Sequence, residues 1–240
     1  MLDFGSDATG SSLPWIRHMI EENVWIIQNA AGDDTRLFTT DKEVPDGALK
    51  HPVLLDIKRV ELGWLKIAGG RDFIPWPGNS KDAIARPADM VKDRDGNDKF
   101  AYGRAFQVFM YSTQNFIIDG TELPPMRVWS SSGAGHKETI QRIYQAAEKC
   151  PEWADDSLAP AIQFGAAKFT RELGGPTKIH EFEIVGWQAK PEMLLNAEFP
   201  GNRPAAAQPV PQSQPQQAQI PSPAPAADAV SDGDFSQVVI

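Results

Sequence analysis

Between residues 50 and 190, apolar side chains alternate in three stretches, two more are dense in aromatic and β-branched residues, and helical spacing occurs in only one. This pattern limits the body of the chain to a mostly β fold with one mid-chain helix. The first stretch, residues 52–68, runs through Val53, Leu55, Ile57, Val60, Leu62 and Trp64 to Leu65 and Ile67. Its phase slips near Arg59 and Val60, which predicts a long first strand with a bulge or bend near Gly63. Phe100–Tyr111 (FAYGRAFQVFMY) and Leu123–Ser130 are rich in aromatic and β-branched residues and predict strands two and three. Ile140, Ile143, Tyr144 and Ala147 lie on one helical face and predict a helix over His136–Lys149, opened by Gly135 and closed before Pro151. Ala161–Arg171 and Ile179–Ala189 add two strands, the second with His180, Phe182 and Ile184 on one face.

The order β-β-β-α-β-β, with the helix between strands three and four, predicts a mainly β, OB-fold-like five-stranded barrel over residues 51–199. Gly63 and Gly103 fall inside strands one and two, where a small barrel must coil tightly. Leu13–Ile20, with Ser12 as N-cap, reads as a short amphipathic helix, so residues 1–50 are expected to form a helix and extension packed on the body. Residues 69–99, dense in Gly, Pro, Asp and Asn, are expected to be a long irregular excursion between strands one and two.

Residues 200–227 are rich in Pro, Gln and Ala and carry almost no charge, too little apolar side chain to offset the entropy of ordering; a disordered linker is expected. Residues 228–240 then turn acidic and apolar, with Asp228, Asp232 and Asp234 followed by Phe235, Val239 and Ile240. Such a tip, on an arm with a root-mean-square reach of roughly 30 Å, reads as a partner-docking tail that also competes for the protein's own cationic surface. No apolar run approaches the roughly 20 residues of a membrane span. The first residues lack the pattern of a signal peptide and Cys150 is the single cysteine, so the cytoplasm of a bacterial host cell is the expected location.

Catalytic patterns are not found. The segment SSSGAGHKET lacks the spacing of a phosphate loop, and DRDGNDK places its glycine out of position for a calcium loop, at the fourth place instead of the sixth, and Arg104 where that loop needs Glu. The four histidines, His18, His51, His136 and His180, are scattered without ligand spacing, so no metal site, cofactor or enzymatic activity is expected. What remains is an interleaving of aromatic and basic residues on strands one to three and the following loop: Lys58, Arg59, Trp64 and Lys66; Arg71, Phe73 and Trp76; Tyr102, Arg104, Phe106 and Tyr111; Arg127 and Trp129. Proteins that grip single strands stack bases on aromatic rings while Lys and Arg follow the phosphates. Phe73 and Trp76, in a Pro-Gly loop, are the pair least expected to be buried. The net charge of −9 is unevenly spread: residues 1–49 hold three basic against nine acidic residues, whereas residues 50–130 hold twelve against ten.

An OB-like body, a Pro/Gln-rich arm and an acidic-apolar terminus together resemble the single-stranded DNA-binding proteins of bacteria and their bacteriophages, with Asp232-Gly233-Asp234-Phe235 as the match at motif level. The resemblance implies sequence-independent binding of single-stranded DNA in replication, recombination or repair. It also implies a tail that docks replication or recombination proteins, and leaves room for a homo-oligomer. The tail departs from the family pattern, in which an acidic run ends in Ile-Pro-Phe or a terminal Phe, because Ser236–Ile240 follow Phe235 here. Two other readings stand beside it: a phage structural or assembly protein that binds no nucleic acid, and a small-ligand or nucleotide-modifying enzyme built on the 69–99 loop.

Overall fold

A computed structural model describes residues 14–28, 33–37, 43–66, 72–81, 84–93, 95–173 and 177–199. The expected linker and tail, residues 200–240, and Arg71 lie outside the described residues. In chain order the strands are β1 (Trp15–Met19), β2 (Val24–Gln28), β3 (Asp34–Arg36), β4 (Val53–Leu55), β5 (Glu61–Lys66), β6 (Asp72–Pro75), β7 (Met90–Lys92), β8 (Asp98–Phe100), β9 (Tyr102–Tyr111), β10 (Ile117–Ile118), β11 (Thr121–Glu122) and β12 (Met126–Ser131). Helix α1 (Ala134–Ala147), the long hairpin β13 (Leu158–Thr170) and β14 (Thr177–Ala189), and a short helix α2 (Glu192–Leu195) follow. No described helix is long and apolar enough to cross a membrane.

Strand β9 organises the sheet. One edge pairs with β12 from Met126↔Tyr111 to Ser131↔Phe106; the other carries β5 from Glu61↔Gln107 to Lys66↔Tyr102, and β4 at Leu54↔Tyr111. Beyond β4 come β13 and β14, and beyond β12 come β1, β2 and β3. The five strands expected from sequence are therefore neighbours in the order fifth, fourth, first, second, third. The ladder does not close on itself: β12 pairs onward with β1, in parallel at Trp15↔Val128. The body is mainly β, and its sheets are open.

Three expectations are corrected. The N-terminal helix is strand β1, in which buried Ile16 and His18 alternate with half-buried Trp15, Arg17 and Met19. A turn through Asn23, at φ +55°, brings β2 back onto it with His18↔Trp25 in register. The long first strand is split into β4 and β5 by a 3₁₀ turn at Ile57–Arg59, where the phase slips, rather than bent near Gly63. The 69–99 excursion also contains regular structure. Strand β6 pairs with β5, and β7 and β8 form a hairpin whose turn is held by the Asp93 carboxylate accepting the N–H groups of Asp95 and Asn97.

The sheet is covered on both faces. On one side α1 lays Ile140, Ile143 and Ala147 into a core with Leu55, Phe106, Trp25, Trp129 and Phe164. On the other, Leu194, Ala197 and Phe199 pack on Leu54, Phe109 and Val128, with the Phe199 and Phe109 rings stacked 3.9 Å apart. The break between β4 and β5 locks this second layer. Asp56 is fully buried; one carboxylate oxygen accepts from Arg59 Nε and the other lies 2.9 Å from Lys190 Nζ. Arg59 in turn donates to the carbonyls of Leu194 and Ala197 and sits over the Phe109 ring. Removing one partner of a buried ion network leaves the others charged and uncompensated. Asp56→Ala is therefore expected to lower the unfolding free energy by about 3–5 kcal/mol in urea denaturation. A loss under about 1 kcal/mol would show that the network does not hold the layer.

Candidate functional site

The cationic and aromatic residues singled out in the sequence separate into two groups. Most are structural. Lys58 Nζ donates to the Asp155 carbonyl and lies 2.8 Å from an Asp156 carboxylate oxygen, and Arg59 belongs to the Asp56 network. Arg127 is buried at the junction of β12, β1 and β2, where it donates to the carbonyls of Trp15 and Gln28 and covers the Phe116 ring; burial pulls its pKa down to about 10. Phe106 and Trp129 are core, and Tyr111 packs against the second cluster. Arg127, Phe106 and Trp129 are thus buried, while Lys58 and Arg59 are neutralised by carboxylates and Tyr111 is half-buried. Trp76 is also buried, against Trp64 at a 5.3 Å centroid distance, which corrects its reading as an open loop residue. Half-buried Phe73 lies over Gly63, where a Cβ would meet its ring at 2.8 Å.

The second group converges. Trp64 pairs directly with Arg104 across β5 and β9, so both project from one face of the ladder. They line an open cleft of about 630 Å³ together with Lys81, Ile84, Ala85 and Arg86, all from the excursion. The excursion is anchored over the strands by Trp64 Nε1 donating to the Ile84 carbonyl, and by Arg86 donating to the Tyr102 carbonyl. The Arg86 guanidinium lies over the Phe100 ring at 4.1 Å and near the Trp64 ring at 5.7 Å. Phe100 is 45% exposed, unusual for so large a ring. Lys137 reaches the cleft margin, its Nζ 3.3 Å from the Arg104 carbonyl; desolvation and the Arg104 charge lower its pKa. Among the described residues no carboxylate lines this cleft, and none forms an ion pair with Lys81, Arg86 or Arg104. Lys66 and Tyr102 flank it but are engaged with Asp89 and Asp72. Lys81 and Arg86 were not legible as site residues, because the excursion that carries them has no periodicity to assign a face, and Phe100 read only as the first residue of strand two.

The sequence also separates three histidines that the fold unites. His18 on β1, His136 in the first turn of α1 and His180 on β14 are all buried, and their ring nitrogens lie within 4.8 Å of one another. Among the described residues this is the one cluster of such ligating groups able to hold a metal ion. His18 Nδ1 is 3.0 Å from His136 Nε2, and His136 Nδ1 is 2.7 Å from Ser131 Oγ. Gly135 permits the approach of α1 to β14, since a Cβ there would meet the Lys178 carbonyl oxygen at 2.0 Å. Thr139 Oγ1 fixes the contact by accepting the His180 backbone N–H. His18 Nε2 and both His180 nitrogens are buried without a well-formed hydrogen bond, with the Asn23 side chain beside His18 and backbone groups of Gly47 and Gly165 beside His180.

No family model matches this chain, and neither does any curated protein or solved structure.

Burial pushes the His18 imidazole down to about 2, with the His180 and His136 rings adding to the shift; burial pushes His180 to about 3 and His136 to about 4. All three lie below the ordinary value of about 6.5. As pH falls the unfolded chain therefore takes up protons first, and the contribution of neutral burial is complete above about pH 6.5 and lost below it. Up to three protons are involved, so the unfolding free energy of the metal-free protein should fall by at most about 4 kcal/mol per pH unit between about pH 6.5 and 4. Urea denaturation across that interval checks this; a level or rising stability would contradict it.

Proposed function

We propose that the protein binds single-stranded DNA, without reading its sequence, in the cleft between β5, β9 and the excursion that follows β5. The observation that supports this most directly is the set of cations without carboxylate partners among the described residues, Lys81, Arg86 and Arg104, beside the exposed Phe100 ring. Phosphates need cations not already neutralised, which the cleft offers, and a splayed base needs an aromatic face, which Phe100 offers next to Arg86. In an OB-like reading of the body, oligonucleotides bind the face of strands two and three and the loop between strands one and two; the cleft shares strand two and that loop, and takes its second strand from β5 instead of β12. The hairpin β13–β14 adds a second aromatic-basic element at its tip, where Phe169 is 58% exposed with Arg171 over its ring. On this reading the protein acts in the cytoplasm of a bacterial host, in replication, recombination or repair, with residues 228–240 docking partner proteins and competing with DNA.

Fluorescence anisotropy with a labelled oligo-dT, at two salt concentrations and with duplex competitor, tests the proposal. Affinity should fall with salt and single strands should outcompete duplex. Arg86→Ala and Arg104→Ala should each weaken binding and shallow the salt slope by about 0.7 for each phosphate no longer neutralised, and Phe100→Ala should cost about 1–3 kcal/mol. Equal or tighter duplex binding, or none at low salt, would leave the structural or assembly reading in its place. Truncation after residue 199 should tighten binding at low salt, with a gain that shrinks as salt rises. An unchanged affinity would remove competition by the tail.

A further inference from the structure

We infer that His18, His136 and His180 form a binding site for one divalent transition-metal ion of the zinc class, which ties β1, α1 and β14 together inside the core. Packing alone does not account for the arrangement. Aromatic rings of this size could fill the same space, yet three imidazoles converge with one ring nitrogen of each within 4.8 Å of the others. A set made only of imidazoles suits Zn²⁺, Co²⁺, Ni²⁺ or Cu²⁺ rather than Mg²⁺ or Ca²⁺, which need oxygen ligands.

The distances are close to what such an ion needs. Bonds of about 2.0–2.1 Å in tetrahedral geometry place ligand nitrogens about 3.3 Å apart. The His18–His136 pair is already at 3.0 Å, and all three nitrogens are within 4.8 Å, so closure requires side-chain movements on the order of 1 Å. The fourth position falls to a water or hydroxide, since no carboxylate or thiolate belongs to the cluster.

The surroundings of the ligands match the same role. A metal-binding histidine usually donates its second ring N–H to an oxygen that fixes its orientation. Ser131 Oγ stands 2.7 Å from His136 Nδ1, so that nitrogen can donate to Ser131 while Nε2 faces the other two rings. The Ser131 hydroxyl is itself positioned by accepting the Gly133 N–H. His180 is held through its backbone by Thr139, which also donates to the Gly135 carbonyl in the helix turn that carries His136. The site is thus supported from the β12–α1 junction and from α1 itself, and it is independent of the DNA cleft.

Titration of chelator-stripped, full-length protein with Co²⁺, followed by visible absorption and by thermal unfolding, tests the site. The expected result is saturation at one equivalent with the spectrum of four-coordinate, nitrogen-ligated Co²⁺, a raised Tm, and displacement by Zn²⁺. His136→Ala and His180→Ala should lose the spectrum and the stabilisation, and His51→Ala should keep both. Ser131→Ala, which retains all three ligands, should weaken binding by about 10–100-fold. Removing a core imidazole can unfold the chain, so the unsubstituted protein decides by itself. No spectrum at one equivalent and no change in Tm would overturn the site in favour of a hydrated or dry packing cluster. Loss of binding in His51→Ala would place the ion elsewhere and equally overturn it.

Discussion

An open sheet must keep its two ends together by something other than backbone hydrogen bonds, and here side chains meet that demand. Strands β1 and β2 belong to one end of the ladder, β13 and β14 to the other. Across the gap His18 faces His180 with ring centroids 4.3 Å apart, and Trp25 faces Phe164 at 5.5 Å. Trp129 of β12 and His136 of α1 close the junction from below, and Trp25 Nε1 donates to the Gly47 carbonyl at its rim. Dispersion and edge-to-face contacts among these rings have a definite geometry, so they fix how far the sheet curls.

The strand assignments were legible because period-two burial is a local property. Thr177–Ala189 is a strand for the reason its alternation suggests, Tyr102–Tyr111 for its aromatic and β-branched density, being buried on both faces, and Ile140, Ile143 and Ala147 do form the buried face of α1. Leu13–Ile20 misled because Ile16 and Ile20 fit a helical repeat as well as Ile16 and His18 fit a strand repeat. The partner that decides between them, the Val24–Gln28 strand, lies outside any short window. The phase slip near Arg59 marks the split at Ile57–Arg59, but the pairing of the buried Asp56 carboxylate with Lys190, over 130 positions further along the chain, leaves no local pattern.

The sites were less legible than the fold, for the same physical reason. Arg59, Arg127, Phe106 and Trp129 have the composition of a nucleic-acid surface, but aromatic and guanidinium groups also make good cores when carbonyls and carboxylates are at hand. Only tertiary placement separates Arg127, buried among carbonyls, from Arg104, exposed on the cleft. The histidines are the sharper case. Positions 18, 136 and 180 share no spacing, and the glycine that lets them meet, Gly135, reads in the sequence only as a helix opener.

The cleft bounded by Trp64, Lys81, Arg86 and Arg104 is where we propose that the strand binds. Mapping by NMR, with isotope-labelled protein and a short oligo-dT, addresses it without altering any residue. Saturable shifts are expected in the guanidinium signals of Arg86 and Arg104, in the Phe100 ring and in the Lys81 amide, while the signals of Arg59 and Arg127 stay in place. Shifts confined to other surfaces, or none at concentrations where binding is complete, would contradict it.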